Sequence, residues 1–367
     1  MINKIKHSKR VILLEPNYRR KYIPLGLAKI ATMVKNNEGE VFYQRKYTPV
    51  DEDAVCITSL FTYDSEIVDD TISEVQFLNP KANIYLGGVY ASLMHKRISK
   101  LFPTITIFNG YSKELDSCVP DYSIDWQIKD PWDKFSFVFT SRGCPNRCAY
   151  CAVWKIEPDL WVNKHWHKHI CLDKPYVMIS DNNLSSMPLN HFKSIHKFIT
   201  EKKKRIVFDN GFDCKLVTKE LAQMLGQMKF TRSGMRLAFD RIEEDGQFQK
   251  AINMIKDGGV AKSHIMAYVL FNFNDKPKDA DYRMRECVKL GIRPYPQQYT
   301  PLNRLNRDVP YIGKYWTTNL VRIFRFFWLM AGFNTKMTFE EYCVTRCTNS
   351  NNKMQMTKED WKVWETN

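Results

Sequence analysis

The 367-residue chain carries 55 Lys and Arg against 40 Asp and Glu, a formal net charge of +15, and 44% of its residues are hydrophobic. That length buries a large core and suggests two domains, or one with a sizeable extension. The start over residues 1–10 is basic and polar and is not expected to act as a secretory signal, and the apolar run Leu320–Phe333 is too short to span a bilayer and is broken by Arg322 and Arg325.

Ten Cys without an export signal point to a reducing compartment and metal chemistry rather than disulfides, so the expected location is cytoplasmic, with no membrane partner. The positive charge permits a polyanionic partner, but it is spread along the chain. Its densest run, Lys202-Lys203-Lys204-Arg205, reads as a solvated helix end, with nucleic-acid contact as the alternative.

In chain order, Val11–Leu14 reads as a short buried strand, followed by a loop from Pro16 to Pro24 and a helical stripe of Leu25, Leu27, Ala28, Ile30, Ala31 and Val34. Val41–Tyr43, Ala54–Thr58, Ile84–Leu86 and Ile105–Phe108 are further strands. Helices are expected between them, one capped by Ser65 and one running from about Ala91 to Leu101. Such alternation predicts an α/β fold: a Rossmann-like parallel sheet with helices on both faces over residues 1–115. Ligands of this architecture sit beyond the strand C-termini, near Pro16–Tyr22, Ser59–Asp64 and Gly87–Tyr90. The cationic tripeptide Arg19-Arg20-Lys21 lies in the first of these loops, where it could meet an anion. Residues 116–134, aperiodic and with prolines at 120 and 131, read as a linker.

Beyond the linker the alternation resumes. Strands are expected at Phe135–Phe139, Val177–Ser180, Ile206–Phe208, Met235–Phe239, Ile265–Phe271 and Ile292–Gln298. Between them Thr218 caps a helix, Gly258-Gly259 stops one and Pro277 opens one. Residues 311–367 form a C-terminal helical extension, loosely ordered from Thr345 to Lys358.

The first of these strands runs into Thr140-Ser141-Arg142-Gly143-Cys144-Pro145-Asn146-Arg147-Cys148-Ala149-Tyr150-Cys151. Three thiols within eight residues, on a backbone bent by Gly143 and Pro145, can converge on one soft metal centre. A tetrahedral structural site normally takes four ligands, whereas three on a [4Fe–4S] cluster leave one iron open. A zinc site short of a ligand, or three buried thiols, are the plainer alternatives.

The C-x-x-x-C-x-x-C spacing with an aromatic before the third Cys resembles the radical SAM superfamily. The resemblance implies that Cys144, Cys148 and Cys151 hold a [4Fe–4S] cluster, with Tyr150 beside the adenine of S-adenosylmethionine (SAM). It implies reductive cleavage of SAM to a 5′-deoxyadenosyl radical, with electrons from a partner such as flavodoxin or ferredoxin. It also implies that the six strand–helix units of residues 135–310 form a partial (β/α)6 TIM-type barrel, whose chemistry sits at the strand C-termini. Asp181, Asn182 and Asn183 after the second strand, Asn210 after the third, Arg236 in and Asp240 after the fourth, and Gln298 at the sixth are the SAM contacts so implied. The bland alternative is that Asx residues after strands are turn formers.

The N-terminal half resembles the cobalamin-binding-like domain that precedes many radical SAM cores, through Pro24-Leu25-Gly26-Leu27-Ala28 and Leu86-Gly87-Gly88. That family often places a His after the first strand, and this loop has none, so cobalamin is possible but not favoured. Rival readings are a cobalamin-dependent radical SAM methyltransferase, and an iron–sulfur or nucleic-acid-binding protein without radical catalysis. Methylthiolation is disfavoured because only Cys56 and Cys118 precede the motif. The substrate, a small molecule or a nucleic acid, is not named by the sequence. His165, His167 and His169 would share a face if extended, a weak metal signal better read as a surface loop or substrate contact. Cys343 and Cys347 read as ordinary thiols on a helix turn.

Overall fold

In the computed structural model, residues 2–330, 332–334, 337–345 and 355–366 are described, and the chain divides into two compact units. The first comprises Met1–Ser180 with Leu302–Val309, the second Asp181–Pro301 with Pro310–Asn367.

The first unit begins α1 (Ile2–Lys6), β1 (Arg10–Leu14), α2 (Leu25–Lys35), β2 (Glu40–Gln44), β3 (Ala54–Ser59), α3 (Ser65–Leu78) and β4 (Asn83–Gly88). Two short helices, α4 (Val89–Leu93) and α5 (His95–Leu101), then lead to β5 (Thr106–Ile107). The five strands pair in parallel in the order β2-β1-β3-β4-β5. Side chains alternate across the pleat, which divides the core in two. Val11, Leu13, Ala54 and Cys56 pack with Leu27, Ala28, Ala31 and Val34 of α2. Ile12, Leu14, Val55 and Ile57 pack on the other face with Val68, Ile72 and Val75 of α3.

Both faces are therefore dry, which is why the strands read as continuous apolar runs. The chain leaves β1 toward one edge of the sheet and returns on its other side at β3. The crevice of such a sheet opens at this reversal, between the loops that follow β1 and β3.

The stretch read as a linker is a packed cover for this sheet. It begins on the end of α6 (Lys113–Ser117), which is capped by Ser112, whose Oγ accepts from the Leu115 N–H at 3.1 Å. Trp126 packs into the α2-side core with Ile124 and Ile128 beside it. The unit closes with β6 (Phe135–Val138), β7 (Ser141–Arg142), α7 (Val153–Ile156), β8 (Trp161–Val162) and β9 (Tyr176–Ile179). Here β6 and β9 are parallel, whereas β7 and β8 form a small antiparallel pair that brackets the cysteine loop.

The second unit alternates α8 (Leu189–Glu201), β10 (Arg205–Phe208), α9 (Lys219–Gly226), β11 (Lys229–Phe230), β12 (Met235–Ala238), α10 (Gln247–Asp257), β13 (Ile265–Phe271), α11 (Pro277–Lys289) and β14 (Arg293–Gln298). Its pairings are parallel too: β10 with β11, and β12-β13-β14 in order. Thr218 caps α9 through a 3.2 Å bond from the Leu221 N–H, and Pro277 opens α11, as expected. Ser65 differs: it is the first residue of α3, and its hydroxyl bonds the Leu305 carbonyl instead of capping the helix.

The ends of α9 and α10 meet at two glycines, where a Cβ on Gly226 would lie 1.7 Å from the Gly258 carbonyl oxygen. Helices α12 (Thr318–Met330), α13 (Phe339–Thr345) and α14 (Lys358–Thr366) follow, joined by packed rings of Phe324, Phe327, Phe339 and Trp364. Among the described residues no helix is long and apolar enough to cross a membrane. The fold is α/β with parallel sheets.

Candidate functional site

The cysteine loop hangs from a buried ionic clamp. Arg142, the last residue of β7, forms a fork with Asp116, Nε to Oδ2 at 2.8 Å and Nη2 to Oδ1 at 2.9 Å. Its remaining Nη1 donates to Glu157 Oε1 at 2.8 Å, and its guanidinium lies over the Phe139 ring, 3.6 Å from the centroid. The other oxygen of Glu157 accepts from the Gly143 N–H at 2.9 Å, tying the loop entry to the end of α7. Lys29, buried in α2, reaches Asp116 Oδ1 at 2.6 Å.

Two cations and two anions thus balance beneath the loop. Burial alone would raise the Asp116 carboxyl, but Arg142 and Lys29 hold it below the usual carboxylate range. Burial pulls the Lys29 amine below its usual range, against the opposing pull of Asp116.

Gly143 is required for two reasons. Its φ is +82°, and a Cβ there would sit 2.3 Å from the Asp159 carbonyl oxygen. Beyond it Cys144, Cys148 and Cys151 are partly exposed and in no disulfide, and Tyr150 is half-buried on the same loop. The Cys151 N–H bonds the Cys148 carbonyl at 3.1 Å, and the Val153 N–H points at Cys151 Sγ, 3.4 Å away. Trp154 Nε1 donates to the Cys148 carbonyl at 3.1 Å.

Among the described residues no three Cys, His, Asp or Glu side chains are gathered into a ready-made metal site. Ligand convergence on binding is ordinary for metal loops. Three partly exposed cysteines on one anchored loop, one sulfur facing an amide donor, fit an iron–sulfur cluster that takes three protein thiolates. By contrast Cys56, Cys214, Cys287 and Cys343 are buried, and burial pushes the Cys56 and Cys214 thiols up to about 12. Cys347 lies outside the described residues.

The three histidines after this loop do not share a face. Residues 166–169 form a 3-10 turn that leaves His165 and His167 exposed and buries His169 completely. Neither His169 ring nitrogen meets a hydrogen-bond partner among the described residues. Burial, reinforced by the Lys29 charge, holds its pKa at about 4, so it is neutral.

In the second unit the residues after the strands are mutually engaged. Arg236 Nη1 donates to Asp209 Oδ1 at 2.6 Å, to the Asp209 carbonyl at 2.8 Å and to the Tyr268 hydroxyl at 2.7 Å. Asn210 Nδ2 donates to the Asp181 carbonyl at 3.3 Å. Asp240 accepts from the Leu270 N–H at 3.1 Å, so part of its capacity secures β13.

Asn183 is a turn former: its Oδ1 accepts from Ser185 Oγ at 2.7 Å, and only 4% of the residue is exposed. Asn182 and Gln298 are half-buried, and Gln298 sits opposite Phe271 in the β13–β14 register. Asn272, at a φ of +64°, is fully buried and holds the Tyr311 carbonyl and the Gly313 N–H. Asp209 and Tyr268 as a joint clamp on Arg236 are invisible in the sequence, being 27 and 32 residues from it.

At the crevice of the first sheet, Arg20 is no anion receptor. Its side chain is 5% exposed, with Nε 2.6 Å from the buried Glu15 carboxylate and Nη2 bonded to the Tyr43 hydroxyl. Arg19 and Lys21 are exposed. After β3, Phe61 and Tyr63 stack at 4.9 Å, and Arg307 lies over the Tyr63 ring while pairing with Asp64 at 2.9 Å. No family model matches the chain, and no curated protein is similar to it.

Proposed function

We propose that the chain is a radical SAM enzyme, with Cys144, Cys148 and Cys151 as the three protein ligands of a [4Fe–4S] cluster. The observation that carries this reading is the anchored three-thiol loop. Its entry is locked by the Glu157 bond to Gly143, and its three cysteines are partly exposed and in no disulfide. When bound, the cluster supplies the electron that cleaves SAM to methionine and a 5′-deoxyadenosyl radical.

The chain's own part is positional. Arg142 and Glu157 fix where the loop leaves β7, and the Val153 N–H stabilises negative charge on the Cys151 sulfur. Tyr150 offers an aromatic surface to the adenine. Asp181, Asn182, Asn183, Asn210, Arg236, Asp240 and Gln298 form the polar set from which SAM contacts are drawn in a partial barrel of six strand–helix units. Of these, Asn182, Asn210 and Gln298 are the partly exposed amides, whereas Arg236 already carries Asp209. The loop after β1 holds no His, so the reading includes no His-ligated cobalamin.

Anaerobic reconstitution followed by iron, sulfide and 5′-deoxyadenosine measurement tests the reading. About four irons per chain and slow SAM cleavage under a strong reductant are expected. Cys144→Ala, Cys148→Ala and Cys151→Ala should each lose both, whereas Cys214→Ala and Cys343→Ala should keep both. A cluster-loaded wild type that neither binds nor cleaves SAM would leave an iron–sulfur protein without radical chemistry.

A further inference from the structure

The run Lys202–Arg205 has a structural sequel. Only Lys202 and Lys203 are exposed at the end of α8; Lys204 is buried, and Arg205 opens β10 with its side chain exposed. In the parallel register Arg205 is the Cα partner of Lys229, the first residue of β11. Side chains of such partners stand side by side on one face of a sheet. They form the rim of a cavity of about 520 Å³ that Met228, Phe230, Val260 and His264 also line. This cavity lies at the N-terminal ends of β10 and β11, the end of these strands opposite the loops that carry Asp209 and Asn210.

Its charge is one-sided. No Asp or Glu lines it, and neither Arg205 nor Lys229 has an ion-pair partner among the described residues. His264 Nδ1 stands 2.9 Å from the Thr231 carbonyl, and since a carbonyl only accepts, that nitrogen carries the proton. Nε2 is left with no protein partner among the described residues. Arg232 and Lys262, two residues from Phe230 and His264, are exposed and add to the positive field.

The inner wall is apolar, made by the buried Met228, Phe230 and Val260. A guanidinium fork, an ammonium and an imidazole above an apolar wall recognise two kinds of group at once: a phosphate at the rim and a flat or apolar body inside. The volume lies in the range of small-molecule sites and is far larger than a bare phosphate needs.

We propose that this cavity binds an organic phosphomonoester of about mononucleotide size, its phosphate on Arg205 and Lys229 and its body against Phe230 and Met228. The phosphate has two chemical sources, a free mononucleotide or the 5′-phosphorylated end of a nucleic acid. The proposal is independent of the cysteine loop and of SAM cleavage.

Titration calorimetry on the full chain tests it, with uridine 5′-monophosphate, uridine, inorganic phosphate and a 5′-phosphorylated single-stranded RNA 6-mer as probes. Uridine 5′-monophosphate should bind at least tenfold more tightly than uridine or inorganic phosphate, weakening as salt is raised. The double variant Arg205→Gln/Lys229→Gln, both positions exposed, should lose at least tenfold while keeping the wild-type thermal midpoint and SAM cleavage rate.

A 6-mer bound tightly and lost in the same variant assigns the phosphate to nucleic acid; a mononucleotide preferred over the 6-mer assigns it to a free ligand. Both outcomes support the site. Equal binding of uridine and its monophosphate, or a double variant that folds and binds as the wild type does, overturns it.

Discussion

Glu157 reaches back fourteen residues to accept the Gly143 N–H at 2.9 Å, closing the base of the cysteine loop with one carboxylate. Its second oxygen holds Arg142, so the same side chain fixes both the loop's backbone and its basic anchor. Glu157→Ala should cost about 2 kcal/mol, because a buried N–H and one face of a buried guanidinium lose their acceptor. Glu157→Gln keeps a neutral acceptor for Gly143 and should cost less. Urea unfolding of the iron-free protein reads both, and an Ala variant as stable as wild type would refute the clamp.

Asp116 is the more expensive member to remove. It faces both Arg142 and Lys29, so Asp116→Ala leaves two buried cations without their shared anion, and a loss of about 3–5 kcal/mol is expected. Lys29→Met should be milder, since Asp116 keeps its fork with Arg142. If the two variants unfold at the same urea concentration, the charges are not coupled in this way.

His169 makes the stability depend on pH. Its folded pKa is about 4, against about 6.5 in an unfolded chain, so the unfolded state binds the extra proton between those values. The stabilisation is complete above pH 6.5 and is lost as pH falls toward 4, at about 1.4 kcal/mol per pH unit for one proton. His169→Leu removes that proton, while His191, also held at about 4, keeps its own. The wild-type curve of unfolding free energy against pH should therefore be steeper than the variant's by about one proton across this window. Parallel curves would show that His169 is already protonated in the fold.

Asn182 and Asn183, adjacent in sequence, should behave differently. Asn183→Ala removes the acceptor of the Ser185 hydroxyl in a buried turn and should lower stability by about 1 kcal/mol. Asn182→Ala, at a half-buried position, should raise the apparent KM for SAM while leaving the iron content unchanged. A KM effect confined to the Asn183 variant would reverse the two assignments.

Much of the architecture was legible because its strands are dry on both faces, so each appears as an uninterrupted apolar run such as Val11–Leu14 or Ile265–Phe271. Of the two-residue strands only β5 left a trace, within the apolar stretch Ile105–Phe108, and β7, β8 and β11 were invisible. The cysteine motif was legible because its residues are contiguous. Its clamp was not, since Lys29 and Asp116 stand 87 residues apart, and charge in a sequence does not announce its partner. Charge also misled: Arg20 read as a cation that could meet an anionic ligand and Lys204 as part of a solvated helix end, yet Arg20 is sealed against Glu15 and Lys204 is buried.

The contact between Gly226 and Gly258 sets what can vary around the basic cavity. Neither glycine needs a left-handed backbone, and the constraint is space: a Cβ at Gly258 would come within 2.3 Å of the Ala222 carbonyl oxygen. Met228 follows the first glycine by two residues, and Gly259 and Val260 follow the second directly, and all three line the cavity. A methyl group at either glycine would wedge the helix ends apart and shift the lining residues that follow them. The two positions therefore act as one mechanical stop, and the width of the cavity is gauged by a pair of hydrogen atoms on the backbone rather than by the side chains that face its interior.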